Sequence, residues 1–581
     1  MASKKTIGQT VALLPEANAA DLVSEVVDGR SGDVNFPYGL FKPLLTVGEV
    51  DATTGVALTG YPDGLAAYLA DDDTIRVVYQ SESYATMSNE TYGQSMDSGV
   101  KFTGSKVHTI DYNRAKFADF LSNQNAASGM VEGSGFLFNT IYNVFGEEVD
   151  GRNSNKADLS AKWGNQTKAD GTLVEFTSDY QLKEADFFFQ SFCGAWYEQA
   201  DKFGAGVGFA NDIYLTAEEW AIGRMFEGED DAANETMGLA SVVVDIANSV
   251  AYTAPVLGQT GYEKIMGFNT GSADYVGLVM AGYNHGQEPA PNRIYIGVKN
   301  KLADGSTIDY STANARDAFL ARNGLLYGKI YGLALDNNSF ADLGISSVDP
   351  TAKMVDDYMK DADAKNSFSG RFYSTSYQWD GFDSPEAVKD TEMLLWEKAS
   401  EQPTGYTFFN GDTKTEHPAV DPDITKARYV QNMTDEGGIL AFDLGSTAAL
   451  GALLDGLNGS LPEYLDVDVT RTVAAIDGAL TLKTNGAGQA ANGEDASKHI
   501  EAGVNKMVAP DGLYWVKTSD GDFLIVDEDS GNDYGERKYV LPLNASTLTL
   551  KEDATGYFLA QAGGAKNPRQ LAAASALGGA H

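Results

Sequence analysis

Short aromatic and β-branched runs recur along the whole chain, each closed by Gly, Asp or Asn. They include "TIRVVYQ", "VKFTGSKVHTI", "YVGLVMAGY", "NRIYIGVKN", "YGKIYGLALD", "ARYVQNM", "GILAFDL", "RKYVLPL" and "STLTLKED". Such runs predict strands joined by tight turns. "VKTSDGDFLIV" predicts a hairpin, because Asp-Gly supplies the positive φ that a two-residue turn needs. Helical spacing is rarer and falls between strands, in "NRAKFADFLSNQ", "TANARDAFLARNG", "DPTAKMVDDYMKDADAK" and "SPEAVKDTEMLLWEKASE". The last opens on Ser384-Pro385-Glu386, a cap followed by proline at the first helical position.

This pattern predicts a mainly β architecture, and a length of 581 residues suits a large closed form. A β-propeller of about six blades, with helical insertions, accommodates it best. The expected organisation is an N-terminal segment over 1–59, a propeller over 60–550 and a tail over 551–581. Helical insertions are expected near 312–323 and 350–401, and a loop insertion near 465–498.

Composition narrows the function. With 82 Asp+Glu against 42 Lys+Arg the net charge is −40, which repels nucleic acid and anionic membranes. Such acidity suits solubility in a salty medium or the binding of hard cations. The single cysteine, Cys193, excludes an intrachain disulfide and a multi-thiolate zinc site. Five histidines (His108, His285, His417, His499, His581) leave oxygen as the main donor for any metal. No run approaches the roughly 20 apolar residues of a membrane span. The start "MASKKTIGQTVALLPEANAADL" is weaker than a secretory signal peptide.

Several motifs fail. "GLLYGKI" has three residues between its glycines and no hydroxyl after Lys329, so it is not a nucleotide phosphate loop. "GVGFAND" lacks the dinucleotide spacing and a surrounding βαβ unit. Neither a nucleophile elbow nor a zinc-protease helix is present.

Five polar clusters remain, each at the end of a strand-like run, where a propeller directs residues toward its channel. They hold Asp63 and Glu82; Cys193 with Glu218 and Glu219; Asn284, His285 and Glu288; Lys414, Glu416 and His417; and Asp527, Glu528, Asp529 and Asp533. Taken singly, such clusters are more often solvated acidic surface than cation ligands, with "DEDSGND" nearest to a calcium loop, and a lone cysteine between aromatics is more often a small core residue than a ligand.

Taken in order, from about Gly60 to Gly531, these segments resemble the PhoX-type alkaline phosphatase family of secreted bacterial β-propellers. "YPDGLAAY" resembles its P-D-G-L-G-A-F opening, and "RVVYQSES" its N-H-E segment with Glu82 at the glutamate. "SFCGAW" followed by "NDIYLTAEEW" is similar to its cysteine segment and Glu-Glu strand. "NRIYIGVKNK" and "RNGLLYGKIYGLAL" resemble its V-Y-V-Y-I-G-x-K and L-T-N-G-K-L-Y-G-V segments. "DTKTEHPAVDPD" resembles the R-x-E-D-G-A-W-D-P loop, and "APDGLYWVKTSDGDFLIVDEDSG" the P-D-N-L segment.

The resemblance implies a channel that binds iron and calcium and hydrolyses phosphate monoesters. Cys193 would be an iron thiolate, Glu219 and Glu416 metal carboxylates, and Lys414 the phosphate-gripping cation; Glu82, Glu218, Glu528 and Asp529 complete the implied metal set. The chain departs from the family pattern at Gln80-Ser81, at Lys414 in place of arginine, at His417-Pro418 and at Gly512. Lys414 lacks the bidentate fork of an arginine. The other expected role is a catalytically degenerate, calcium-stabilised extracellular or surface-layer protein able to self-assemble. The altered loop, the net charge and the small-residue tail "QLAAASALGGAH" fit that role. An extracellular or cell-surface location is expected in either case.

Overall fold

The computed structural model describes residues 5–10, 34–35, 42–59, 61–82, 94–99, 101–102, 105–123, 125–142, 146, 148, 192–219, 241–258, 261–283, 292–342, 366–374, 403–408, 415–434, 438–472, 510–528, 536–550 and 557–562. Five up-and-down antiparallel sheets follow one another along these residues. In each, the first strand lies innermost, the arrangement of propeller blades. The first sheet runs Tyr61–Leu69, Thr74–Glu82, Val107–Asn113, Val131–Phe136. The second runs Trp196–Glu198, Ile213–Ala217, Ser241–Asp245, Val250–Thr253, with Thr140–Tyr142 parallel on its outer edge. Third comes Gly261–Phe268, Tyr275–Tyr283, Arg293–Val298, Gly328–Asp336, and fourth Thr415–Val420, Lys426–Met433, Gly438–Ser446, Tyr464–Thr472. Strand Asn366–Ser374 pairs with the outer strand of both, so the two form one continuous sheet. The fifth is Pro510–Thr518, Gly521–Glu528, Glu536–Asn544, Tyr557–Ala562, and Val34–Asn35 adds to its outer edge.

The cores lie between sheets, as expected when both faces of a strand are buried. Leu215, Val243 and Tyr252 of the second sheet pack on Leu278, Tyr295 and Ile330 of the third. Ile294, Tyr331 and Phe372 meet Tyr429, Leu440 and Phe442, and Val430 and Ala441 meet Trp515, Leu524 and Leu541. "RIYIGV" is therefore buried along its whole length, which is why it reads as an apolar run with no alternation. Neighbouring inner strands touch in order from the first sheet to the fifth. The first sheet is covered by the N-terminal segments, where Ile7, Leu44 and Leu58 pack on Tyr79 and Tyr112.

Helices are short and sit outside the sheets. Asn113, Asn314 and Ser446 cap Arg114–Ser122, Ala315–Arg322 and Thr447–Asp455, each accepting a backbone N–H three residues on. The first two fall on helical patterns of the sequence; the third follows "GILAFDL" directly. Tyr464–Thr472 is a strand with Leu465, Val467 and Val469 buried and Tyr464, Asp466 and Asp468 exposed. The stretch read as an insertion from about Leu465 thus contributes an outer strand first. Its acidic alternate positions face solvent, the period-2 alternation of a strand with one buried face. No described helix is long and apolar enough to cross a membrane.

The core of the first sheet holds a histidine out of water. His108 stacks on Tyr79 at 4.7 Å between ring centres and lies 5.1 Å from Phe136, with Nε2 3.3 Å from Thr59 Oγ1. Burial, reinforced by nearby Lys106, pushes its pKa down to about 3. Below about pH 6.5 the unfolded chain takes up a proton that the folded chain refuses, so stability falls as the pH drops from there toward 3. Between pH 7 and 5 this costs about 2 kcal/mol. His108→Phe keeps the stack and removes the proton; urea titrations of both chains at the two pH values should show that much less acid sensitivity in the variant. Parallel losses in the two chains would refute it.

Candidate functional site

Every inner strand begins with a break in register. It falls between Pro62 and Leu65, between Tyr262 and Lys264, between Thr415 and Pro418, and between Pro510 and Leu513. In the second sheet the pairing of Leu215 with Trp196 would set Glu218 opposite Cys193, but Glu218 bridges Phe192 instead. A bulge lifts its residue out of the pleat and re-aims the side chain. The residues so placed are Asp63, Cys193, Glu263, Glu416 with His417, and Asp511, all buried. Two of the bulges share a sequence, Pro62-Asp63-Gly64-Leu65 and Pro510-Asp511-Gly512-Leu513. Proline is the second residue of the one strand and the first of the other, positions near a strand start that suit its missing N–H.

The segment from Cys193 to Ala195 is held from three sides. Gly64 N–H donates to Cys193 O at 3.0 Å. The Gln80 side-chain amide donates to the same oxygen, and Tyr214 Oη–H donates to Gln80 Oε1 at 2.8 Å. Gly194 N–H donates to Glu263 O at 2.6 Å, which ties the second sheet to the third. Both glycines are required by close approach. A Cβ on Gly64 would sit 2.5 Å from Cys193 O and 2.6 Å from Ala195 Cβ; one on Gly194 would sit 2.8 Å from Lys264 Cβ and closer still to Glu263 O.

The result is a cluster in which Cys193 Sγ and carboxylate oxygens of Glu219 and Glu263 lie within 4.8 Å of one another, all three residues buried. One soft sulfur beside two hard oxygens is a donor set for a transition metal such as ferric iron more than for calcium alone. Cys193 and Glu219 were singled out in the sequence; Glu263 was not. Glu218 is buried beside Phe192, Glu416 is buried on the inner strand of the fourth sheet, and Glu528 is buried with Tyr539 Oη 3.5 Å from its Oε1. The strand carrying Glu416 is pinned to the third sheet by Thr415, whose hydroxyl accepts from Gly282 N–H at 3.0 Å and donates to Gly282 O at 2.7 Å. The Glu82 backbone pairs with Tyr61. The Glu82 side chain and Asn284, His285, Glu288, Lys414, Asp529 and Asp533 lie outside the described residues.

A cavity of about 320 Å³ opens beside this cluster, lined by Gly64, Ala195, Lys264, His417, Leu513 and Asp527 among others. These residues come from four of the sheets and, through Ala195, from the segment leading into the second, which places the cavity where the inner strands converge. Lys264 reaches it from a buried position; desolvation lowers its ammonium to about 8, opposed by Asp511. Asp527 is pushed up to about 6 by burial, against the pull of Lys538, whose ammonium lies 2.9 Å from its Oδ1. His417 Nε2 stands 3.9 Å from Asp511 Oδ1. A Cβ on Gly512 would lie 2.7 Å from Asp527 Oδ2, so glycine there lets that carboxylate reach the cavity wall. Cations and carboxylates thus share a partly dry space beside a metal-type donor set.

No family model and no curated protein sequence matches the chain. Among solved structures it is similar to PhoX of Pseudomonas fluorescens, in complex with vanadate as a transition state analogue. The TM-score is 0.42 and the identity 12%, over 87% of this chain and 80% of that one. It is also similar to the NanB sialidase of Streptococcus pneumoniae, with TM-score 0.26 and 10% identity over 90% of this chain and 64% of that one. The five consecutive sheets and their inner bulges are what define the fold and the site of this chain.

Proposed function

We propose that the chain is a metal-dependent phosphomonoesterase working in the axial channel, with Cys193, Glu219 and Glu263 as ligands of an iron ion and Glu416 and Glu528 toward calcium. The observation that carries this reading is the convergence of one thiol and two carboxylates, all buried, beside a cavity that also holds a buried lysine. The family resemblance of the sequence implies an iron thiolate at Cys193 and a metal carboxylate at Glu219.

Metal ions held there would supply Lewis acidity and charge neutralisation to a phosphate ester. The chain's own residues do the rest. Lys264 offers a cation for phosphate oxygens in a space where little water weakens the attraction. Asp527 holds Lys538 at the wall, keeping a second positive charge in reach. The Gly64 and Gly194 contacts fix the Cys193 loop, so the donor set is ready before substrate arrives.

Elemental analysis of the purified protein, together with hydrolysis of a simple phosphate monoester, tests this. Iron near one equivalent or above, with calcium and activity, is the expected result, and Cys193→Ala should lose both iron and activity while keeping the folded circular dichroism spectrum. A wild-type protein with neither iron nor activity overturns the proposal; calcium alone would favour the structural role.

A further inference from the structure

We propose that the channel selects phosphate esters with a compact aromatic or otherwise apolar leaving group, bound against a wall made by the first and last sheets. This rests on the phosphomonoesterase reading above and names the substrate class for it. Nine large hydrophobic residues are exposed among those described, and two of them, Leu65 at 45% and Tyr514 at 56%, line this one cavity. They stand on the inner strands of the first and fifth sheets. Ile525 lies directly across the strand pair from Tyr514 and lines the cavity too. Apolar surface left exposed at a cavity is what a ligand covers.

The cavity is divided by chemistry along its depth. Lys264 is buried, and Ala195 and Lys264 lie within two residues of Cys193 and Glu263, so the phosphate end is deep. Tyr514 and Leu65, being exposed, form the rim where a leaving group would rest. Besides the Tyr514 phenol, the polar side chains of the lining are Asp63, Lys264, His417, Asp527 and Lys538, the last two paired with each other, so the apolar wall is confined to Leu65, Leu513, Ile525 and the Tyr514 ring. A sugar or polyol leaving group resting on that wall would lose hydrogen bonds to water that Leu65 and Ile525 do not replace. A volume of about 320 Å³ is at the small end for ligand sites, room for a phosphate and one ring rather than a nucleotide.

Binding of non-hydrolysable probes separates this from leaving-group reactivity. Inorganic phosphate, phenylphosphonate and 2,3-dihydroxypropylphosphonate are titrated into the metal-loaded protein by calorimetry. Phenylphosphonate is expected to bind about tenfold tighter than the dihydroxypropyl compound, given the apolar area it covers. In Tyr514→Ala, and further in Leu65→Ala/Tyr514→Ala, that ratio should fall toward one. Equal affinity for the two phosphonates in the wild type overturns the inference and leaves the hydrolase reading standing. A ratio that survives both substitutions refutes this wall as the binding surface. If neither phosphate nor any phosphonate binds, the hydrolase reading fails and takes the inference with it.

Discussion

On the proposed metal-dependent reading, Glu263→Gln should leave the channel without iron and reduce phosphate-ester hydrolysis by more than the roughly 10- to 100-fold that losing an outer-shell partner of a metal ligand costs. The substitution keeps size and shape, so packing around the bulge survives. It replaces a negatively charged donor in a buried cluster of Cys193 Sγ, Glu219 and Glu263 with a neutral amide. A cation brought out of water into that space needs the charge as well as the oxygen. The Glu263 backbone oxygen still accepts from Gly194 N–H, so the second and third sheets stay joined. The readouts are iron per chain and any thiolate-to-metal absorption band, with thermal unfolding of the metal-free proteins as the control. Full metal content with unchanged activity in Glu263→Gln would remove this residue from the ligand set and leave Cys193 and Glu219 short of a third donor.

The sheets were legible because each strand carries its own aromatic and β-branched run between turn residues, and because burial on both faces makes central strands such as Arg293–Val298 continuously apolar. Cys193 and Glu219 were legible for a different reason: the only cysteine and a Glu-Glu pair are rare enough to notice. Glu263 was not. In "GYEKIMGF" it occupies an ordinary alternate position, and only the register break between Tyr262 and Lys264 turns it toward the cluster. The partner of that break is Gly282, whose φ of +140° no sequence pattern announces. A signal did exist for two of the other bulges. "PDGL" occurs at 62–65 and again at 510–513, and reading it as a blade repeat would have set Asp511 beside Asp63 as an inner-strand carboxylate. Lys264 escaped notice as well, since one lysine in a strand is usually a solvated residue, and its burial follows from the packing of neighbouring sheets around the channel.

Gly194→Ala is the second change expected to have a large effect, and it acts by geometry alone. The new methyl group would meet Glu263 O and Lys264 Cβ at distances real side chains do not tolerate, and the atoms in the way are mostly strand backbone, which cannot swing aside. Relief requires the Cys193–Ala195 loop to move off the inner strand of the third sheet, lengthening or breaking the 2.6 Å hydrogen bond from Gly194 N–H. Overpacking of this kind costs roughly 1–3 kcal/mol, read as a lower urea midpoint. The larger consequence is chemical. A metal site tolerates displacement of about 0.5 Å, and this loop carries Cys193, so the variant should remain folded while losing bound iron and hydrolysis together. Gly133→Ala is the matching control, because a Cβ there meets nothing within 4 Å and should change neither. An unaltered midpoint and metal content in Gly194→Ala would mean that the loop and the third sheet are not locked together, and the preformed donor set would lose its structural basis.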